Sequence, residues 1–234
     1  MRKELMTVLF PNTCIGCGNI IDENEFLCDY CAEMIERYNF DKFCIKCGNY
    51  KSACRCSKQV FYFDGCVAPF KYTGIARRCM HSFKFRHKEN ISLYFAEQMA
   101  LAVKQCYYDV NFDVVCCLPI ERLKGMRRGY NQTEILGMKI AKILNLPFCN
   151  NALGFKGRKK IQHKTPLNER FKNVKDIFYP KISFKDKNIL LVDDIKTTGA
   201  TLSECAKVLL ESGCNKVYCV TGLAVERKKR KNGN

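Results

Sequence analysis

The pattern of hydrophobic and polar positions changes at about residue 60. Before that point, apolar residues are dispersed between pairs of cysteines. After it, apolar runs of strand length are separated by stretches of ordinary helical length. Alternating strands and helices are typical of α/β folds. We therefore expect two domains, a small cysteine-rich domain at 1–59 and an α/β domain at 60–234.

The first part of the α/β region is predicted to contain two short strands followed by two helices. Val60 to Phe63 and Cys66 to Tyr72 are rich in aromatic and β-branched residues, as strands are. Apolar residues at helical spacing then predict helices over Ile75 to Phe85 and Ile91 to Gln105.

The rest of the chain is predicted to supply the core of a parallel sheet. Four apolar runs show no polar alternation, which is typical of strands buried on both faces. These runs are Val114 to Leu118, Pro147 to Cys149, Ile189 to Val192 and Lys216 to Val220, with helical patterns at about 126 to 144 and 200 to 212. In such sheets ligands bind at the carboxyl ends of the strands. The candidate chemistry is therefore expected there.

The cysteines differ between the two regions. Eight of the 17 lie in close pairs within the first 60 residues, whereas the others are scattered among apolar residues. The hexapeptide CIGCGN at 14–19 returns as CIKCGN at 44–49, which indicates a duplicated unit. Two thiolates three positions apart can bind one zinc ion from a tight turn, and a following glycine permits positive φ.

Four cysteine pairs predict two structural zinc sites. The simplest arrangement places Cys14, Cys17, Cys28 and Cys31 on one ion and Cys44, Cys47, Cys54 and Cys56 on the other. A cross-braced pairing is an alternative, and the single residue between Cys54 and Cys56 makes that pair a tighter bite. A redox dithiol fits less well, because four pairs occur without a βαβ context. Metal binding is expected to supply folding free energy to so short a module.

Composition adds a compartment and a class of partner. The formal net charge is +17, and two tetrathiolate zinc sites would reduce it but leave the chain strongly basic. Polyanions such as nucleic acid, nucleotides or pyrophosphate are therefore candidate partners, and the basic run at 227–231 is interpreted as a solvated tail. No apolar run approaches the roughly 18 residues of a membrane span. We expect a cytoplasmic protein without membrane insertion.

The run LLVDDIKTTGAT at positions 190–201 predicts a site for a phosphorylated ribose. A buried strand leads to two carboxylates, then to a loop of small polar residues at the start of a helix. Backbone N–H groups at a helix N-terminus favour a phosphate, and Gly199 permits close approach. The carboxylates Asp193 and Asp194 would repel that phosphate, so we expect them to accept hydrogen bonds from the ribose hydroxyls.

The same run resembles the 5-phosphoribosyl-1-pyrophosphate (PRPP) loop of type I phosphoribosyltransferases. The resemblance implies PRPP contacts from these residues: Asp193, Asp194, Thr197, Thr198, Gly199, Ala200 and Thr201. A receiver-domain aspartate pair lacks the ThrThrGly that follows here, and neither a Walker GxxxxGK loop nor a dinucleotide GxGxxG fingerprint is in place. The implied fold is the Rossmann-like parallel sheet of that class, here preceded by a double zinc-ribbon module.

Nearly the whole chain resembles the ComF family, which is associated with natural competence. The resemblance rests on the cysteine pairs, KF at 84–85, LP at 118–119, RRGYNQ at 127–132, the stretch from Gln162 to Asn173 and the PRPP-type loop. The one departure is the shortened pair Cys54 and Cys56. A role in DNA uptake for transformation follows as an expectation, with single-stranded DNA and competence or DNA-processing proteins as partners.

The resemblance also implies residues for the pyrophosphate and for a flexible hood. Arg127 and Arg128 are the first candidates for catalysis, with a solvated basic helix start as the alternative for these cations. Lys160 joins them from the polar stretch 154–173, which lacks a clean strand or helix pattern and is alternatively a disordered basic loop. Further cations are expected near the pyrophosphate, and Gln162 and Arg170 are expected in the hood. The pyrophosphate candidates are Arg122, Lys124 and Lys84.

Two functions are compatible with this sequence. One is transfer of phosphoribose from magnesium PRPP, through an oxocarbenium-like state, to an acceptor that the sequence does not identify. The other is a non-catalytic PRPP sensor or single-stranded-DNA scaffold on the same fold. The three histidines have no partner pattern and are assigned no role.

Overall fold

The structure is a computed structural model that describes residues 11–86, 89–119, 131–156 and 174–226. The helices are α1 Asp29–Glu33, α2 Gly74–Arg86, α3 Glu89–Cys106, α4 Gln132–Leu144 and α5 Ala200–Glu211. The strands are β1 Phe43–Cys44, β2 Asn49–Tyr50, β3 Gly65–Val67, β4 Phe70–Lys71, β5 Val114–Cys117, β6 Phe148–Cys149, β7 Leu153–Phe155, β8 Phe178–Pro180, β9 Asn188–Lys196 and β10 Lys216–Ala224.

Six of these strands form the central sheet. The order β3-β10-β9-β5-β6 is parallel throughout, and β4 also pairs with β10. Parallel neighbours need crossover connections, which the helices between the strands supply. The predicted α/β fold with a parallel sheet is therefore confirmed.

Apolar side chains cover both faces of the sheet. Leu190 and Val192 of β9 join one buried cluster, which contains residues of α2, α3 and α4. Ile189 and Leu191 of the same strand join a second cluster, which contains residues of α5, β7 and β8. Successive residues of a strand point to opposite faces, so a strand between two helical layers must be apolar at every position.

The cysteine-rich segment packs against the β3–β4 edge of the sheet. The N–H of Lys71 donates to the Glu36 carbonyl at 2.9 Å, and the N–H of Cys66 donates to the Ile45 carbonyl at 2.7 Å. The buried hydroxyl of Tyr38 reaches the carbonyl of Ala224 at the end of β10, at 3.1 Å. Backbone groups of an edge strand are thus paired instead of being left open to another chain.

The two strands predicted before the first long helix are only partly correct. Val60 to Phe63 is not a strand, because Phe61 and Phe63 are buried in the cluster that contains α5, and the N–H of Tyr62 donates to the Ser203 hydroxyl at 3.1 Å. Cys66 to Tyr72 is divided into β3 and β4. Pro69 lies between them and has no N–H to donate to a ladder.

Other boundaries also differ from the sequence-based expectation. β9 continues past Val192 to Lys196 and β10 continues past Val220 to Ala224, because the two strands pair with each other over this extension. Gly154 and Phe155 belong to β7, which forms an antiparallel hairpin with β8. The polar stretch 154–173, which has no clean strand pattern in the sequence, therefore begins with two strand residues.

The predicted helices agree with the structure where it describes them. α2, α3 and α5 match their predicted spans to within about two residues at each end, and α4 covers 132–144 of the helix expected at about 126 to 144. Residues 126–130 lie outside the described residues. Within the described part of the chain, no helix combines the length and apolar character that a membrane span needs.

Truncation of Leu190 tests the central position of β9. This side chain is completely buried, so Leu190→Ala should lower the free energy of unfolding by about 2–5 kcal/mol. Leu101 of α3 is 57% exposed, and Leu101→Ala should change it by only about 0.5 kcal/mol. Urea denaturation followed by circular dichroism measures both; equal losses would contradict the assignment of β9 to the core.

Candidate functional site

The predicted ribose-phosphate residues lie where β9 extends beyond the end of β5. β5 ends with Cys117 opposite Val192, whereas β9 continues through Asp193 and Asp194 beside β10. The sequence suggested that the acidic pair follows the strand. In the structure the pair lies inside the strand. Among the described residues, this stretch of β9 pairs with β10 alone, at the carboxyl edge of the sheet where ligands bind.

The loop after β9 ends at the N-terminus of α5. Gly199 has φ +80° and precedes the first helical residue, Ala200. Buried Thr198 accepts a hydrogen bond through its hydroxyl from the N–H of Ala200 at 3.2 Å. The unpaired N–H groups and the dipole of a twelve-residue helix favour an anion at this position. The loop is therefore suited to a phosphate ester.

The acidic pair is electrostatically asymmetric. Burial and the neighbouring carboxylate of Asp194 raise the pKa of Asp193 to about 8, although the N–H of Asp194 donates to Asp193 Oδ1 at 2.8 Å. Asp194 is instead paired with Lys84 of α2, at 2.5 Å between Nζ and Oδ2. Both paired side chains are largely buried, at 15% and 17% exposure. The two adjacent carboxyl groups are thus stabilised differently, Asp193 by a raised pKa and Asp194 by its ion pair with Lys84.

Lys84 is the one predicted pyrophosphate residue that falls within the described part of the chain. It lies beside the acidic pair, and its contact with pyrophosphate remains a prediction. The other cations and hood residues predicted from the sequence lie outside the described residues: Arg122, Lys124, Arg127, Arg128, Lys160, Gln162 and Arg170.

The described residues on either side of positions 120–130 are tied together. The hydroxyl of Thr133 donates to the Leu118 carbonyl at 3.0 Å, and the Asn131 amide reaches the same oxygen at 3.4 Å. Asn131 also accepts the N–H of Thr133 at the N-terminus of α4, at 3.2 Å. The end of β5 and the start of α4 are thus held beside the carboxyl edge of the sheet.

The structure adds two contacts of the loop that the sequence did not indicate. Lys196, at the end of β9, is 2% exposed and donates to the Gly48 carbonyl at 2.8 Å. Gly199 lies against Phe61 and Phe63, since a Cβ at this glycine would be 3.4 and 3.6 Å from their rings. Both contacts are remote in sequence, so no local pattern signals them.

The eight predicted zinc ligands form two clusters with the simplest pairing. In each set of four, all the Sγ atoms lie within 4.8 Å of one another. The sets are Cys14, Cys17, Cys28 and Cys31, and Cys44, Cys47, Cys54 and Cys56. Sulfur pairs are separated by 3.5 to 3.8 Å, close to the roughly 3.8 Å edge of a tetrahedron with 2.3 Å zinc–sulfur bonds. Both clusters fit zinc, and the tight Cys54–Cys56 pair is accommodated.

Hydrogen bonds prepare one thiol of each cluster for a metal. Burial works against ionisation, yet the N–H groups of Cys28 and Gly16 lower the pKa of Cys14 to about 6. In the second cluster burial is likewise overcome, and N–H donors that include the Asn49 amide lower the pKa of Cys47 to about 7. Thiolates are the form that binds zinc, so these donors favour metal binding.

Comparison with protein families identifies both parts of the chain. Residues 5–80 match the double zinc ribbon domain, and residues 134–232 match the phosphoribosyl transferase domain. The first match includes all eight clustered cysteines, and the second includes β9, the acidic pair and the loop. The zinc-ribbon module and the phosphoribosyltransferase fold predicted from the sequence are confirmed.

Curated relatives cover nearly the whole chain. Competence protein F of Haemophilus influenzae is 29% identical over 231 residues, which span 94% of this chain and 99% of the relative. The DNA utilization protein YhgH of Escherichia coli strain K12 is 23% identical over 88% of each chain. The resemblance to the ComF family is therefore confirmed.

Among solved structures, a purine phosphoribosyltransferase from Pyrococcus horikoshii is 17% identical to this chain. The alignment covers 58% of this chain and 84% of that chain, with a TM-score of 0.37. The fold assignment is based on the strand order and the two family matches.

Metal analysis tests the two clusters separately. The purified protein should hold two zinc ions per chain, and Cys17→Ser and Cys56→Ser should each hold one, because a tetrathiolate site rarely keeps its metal with three ligands. Cys149→Ser, a change at a half-buried cysteine outside both clusters, should retain two. Mass spectrometry of the metal content measures all four proteins; a single zinc in the wild type would contradict the second site.

The raised pKa of Asp193 predicts a pH dependence of stability. An unfolded aspartate titrates near pH 4, roughly, whereas folded Asp193 has a pKa of about 8. The folded state therefore holds the extra proton between these values, and the free energy of unfolding should fall as the pH rises through this window. Asp193→Asn removes this contribution.

Denaturation at pH 5 and pH 8.5 measures the effect as a difference between proteins. The free energy of unfolding of Asp193→Asn minus that of the wild type should be larger at pH 8.5 than at pH 5. Asp186→Asn, at an exposed position outside the site, accounts for the loss of one carboxylate. If the difference in stability between wild type and Asp193→Asn does not change with pH, the Asp193 carboxyl group of the wild type is ionised throughout this range.

Proposed function

We propose that this chain, a ComF-family protein with a double zinc ribbon domain and a phosphoribosyl transferase domain, binds magnesium PRPP and transfers its phosphoribosyl group. The observation that carries the proposal is the arrangement at the carboxyl end of β9. Two carboxyl groups lie on the strand, and the N-terminus of α5 follows after a short loop. This arrangement has one region for hydroxyls and one for a phosphate.

Each part of PRPP has a proposed place. The 5-phosphate binds the loop Thr197 to Thr201, where the N–H groups at the helix start and the threonine hydroxyls donate to its oxygens. The ribose hydroxyls donate to Asp193 and Asp194. Lys84, already beside Asp194, supplies a positive charge for the pyrophosphate. Magnesium enters as part of the substrate, as the magnesium complex of PRPP.

Transfer breaks the bond between ribose C1 and the pyrophosphate oxygen. Pyrophosphate leaves with the bonding electrons, and the acceptor's nucleophilic atom donates an electron pair to C1 and loses its proton. Positive charge develops on the ribose in the transition state, beside the two carboxyl groups, while negative charge develops on the leaving group. Arg127, Arg128 and Lys160 are proposed to stabilise that leaving group, with Arg122 and Lys124 as further pyrophosphate contacts.

The biological role is proposed from the relatives. Competence protein F and DNA utilization protein are names of proteins that align along most of this chain. We extend to this chain a function in DNA uptake for transformation, with single-stranded DNA or DNA-processing proteins as partners of its basic surface. A cytoplasmic location is proposed because zinc-binding thiolates persist in a reducing compartment.

Calorimetric titration with magnesium PRPP tests the binding site. The wild type should bind, whereas Asp194→Asn should bind at least about tenfold more weakly, because it replaces a charge-assisted hydrogen bond to ribose. Asp186→Asn, which removes an exposed carboxylate outside the site, should bind like the wild type. Absence of wild-type binding would overturn the proposal.

Turnover is measured as pyrophosphate release in the same buffer. A panel of free bases, nucleosides and single-stranded oligonucleotides serves as acceptors. Release that requires an acceptor and is lost in Asp194→Asn would support transfer. Tight binding without release across the panel would identify a PRPP sensor.

A further inference from the structure

Lys196 connects the PRPP loop to the second zinc cluster. It is the last residue of β9 and directly precedes Thr197, yet its side chain leaves the loop and enters the turn that follows Cys47. Its Nζ donates to the Gly48 carbonyl at 2.8 Å and lies 3.4 Å from Asn49 Oδ1. At 2% exposure, the ammonium is almost completely removed from water.

Asn49 extends this contact to a zinc ligand. Its side chain is 7% exposed, and its amide nitrogen lies 3.3 Å from Cys47 Sγ and 3.2 Å from the Cys47 carbonyl. One amide therefore donates to a thiolate of the second cluster and accepts from Lys196. Outer hydrogen bonds of this kind orient metal ligands and adjust their basicity.

The charges explain why a buried lysine is tolerated there. A zinc ion with four thiolates carries a formal charge of about −2, which a nearby ammonium compensates. A buried charge without compensation is costly. A zinc-loaded cluster would therefore add to the hydrogen bonds that stabilise Lys196 in its buried position, and Lys196 directly precedes the loop.

The turn itself is fixed against the sheet. Gly48 has φ +64°, and a Cβ there would be 2.7 Å from the Cys66 carbonyl and 3.1 Å from Lys196 Cε. The N–H of Cys66 donates to Ile45 in the same turn at 2.7 Å. The turn therefore packs closely against β3 and Lys196.

The first copy of the repeat provides an internal comparison. Gly18 has φ +83°, as a turn of this type requires, but a Cβ there would meet no atom of the described residues within 4 Å. Asn19, the equivalent of Asn49, is exposed. The two turns share the residues Cys-Gly-Asn, and within the described part of the chain the second alone contacts the PRPP loop.

We infer that Lys196 is a positioning residue for PRPP and that the second zinc site, through Asn49 and Lys196, sets the conformation of the phosphate-binding loop. The inference rests on the proposed function and adds a form of regulation to it. Loss of zinc from the second cluster lowers PRPP affinity, and PRPP by linkage raises the affinity of that cluster for zinc by the same factor.

The first measurement is PRPP affinity by calorimetry in the presence of magnesium. Lys196→Met retains the aliphatic stem but removes the ammonium, and Asn49→Ala removes the bridge to Cys47. Each should weaken binding by about tenfold, and the double variant should be little weaker than either single variant, because both interrupt one connection. Asn19→Ala, the matched change in the first turn, should bind as the wild type does.

The second measurement needs no change in the loop. Cys17→Ser removes the first zinc and leaves the second, whose equilibrium distribution between the protein and a chromogenic chelator is measured with and without magnesium PRPP. PRPP should raise the zinc affinity of the second cluster several-fold. This increase should disappear when Lys196→Met is added, a linkage that a merely structural lysine would not produce.

The outcomes separate the inference from the proposed function. Lack of PRPP binding by the wild type would overturn both. PRPP binding that is unchanged in Lys196→Met and Asn49→Ala, together with a zinc affinity that PRPP does not change, would overturn the inference alone. Metal analysis of each variant identifies one that has failed to fold, and the chelator equilibrium of Cys17→Ser still decides the matter in that case.

Discussion

Strands β9 and β10 pair in parallel from Asn188 opposite Lys216 to Lys196 opposite Ala224. This ladder continues beyond the end of β5, and it is what keeps the acidic pair in extended backbone at the edge of the sheet. β10 also pairs with β3 and β4, the two strands on which the cysteine-rich segment packs. One pair of strands therefore supports the ligand loop and the zinc module together.

The balance of charge in the site is as specific as its geometry. Two adjacent carboxyl groups would repel each other if both were ionised, and burial would add to that cost. The structure resolves this conflict by a raised pKa of Asp193 and by an ion pair between Asp194 and Lys84. Binding of a ribose would replace part of this internal compensation with hydroxyl donors.

The features that the sequence predicted well are those with local signals. Buried runs predicted the core strands, and the repeat of CysXXCysGlyAsn predicted the zinc ligands. The division at Pro69 also had a local signal, since proline lacks the N–H that a ladder requires. By contrast, the extension of β9 through Asp193 and Asp194 opposes the low strand propensity of aspartate, and it becomes favourable only because β10 is equally long.

Long-range contacts account for the remaining differences. Lys196 is separated from Gly48 by 148 residues, and nothing in the run around it indicates a buried partner. Phe61 and Phe63 have strand-like composition, but they pack against the loop and α5 and form no ladder. Which apolar or charged residue finds which partner depends on the whole topology.

The turns at Gly18 and Gly48 show how two copies of a repeat can have different roles although both keep the residues Cys-Gly-Asn. Both copies fold in the same way because both contain the same glycine and the same thiolate spacing. Their surroundings differ: the first faces solvent, whereas the second meets Cys66 and Lys196. The role of the second turn thus depends on the residues that surround it and not on the motif. The same turn placed in another protein would keep its fold but would lack the contact with the loop.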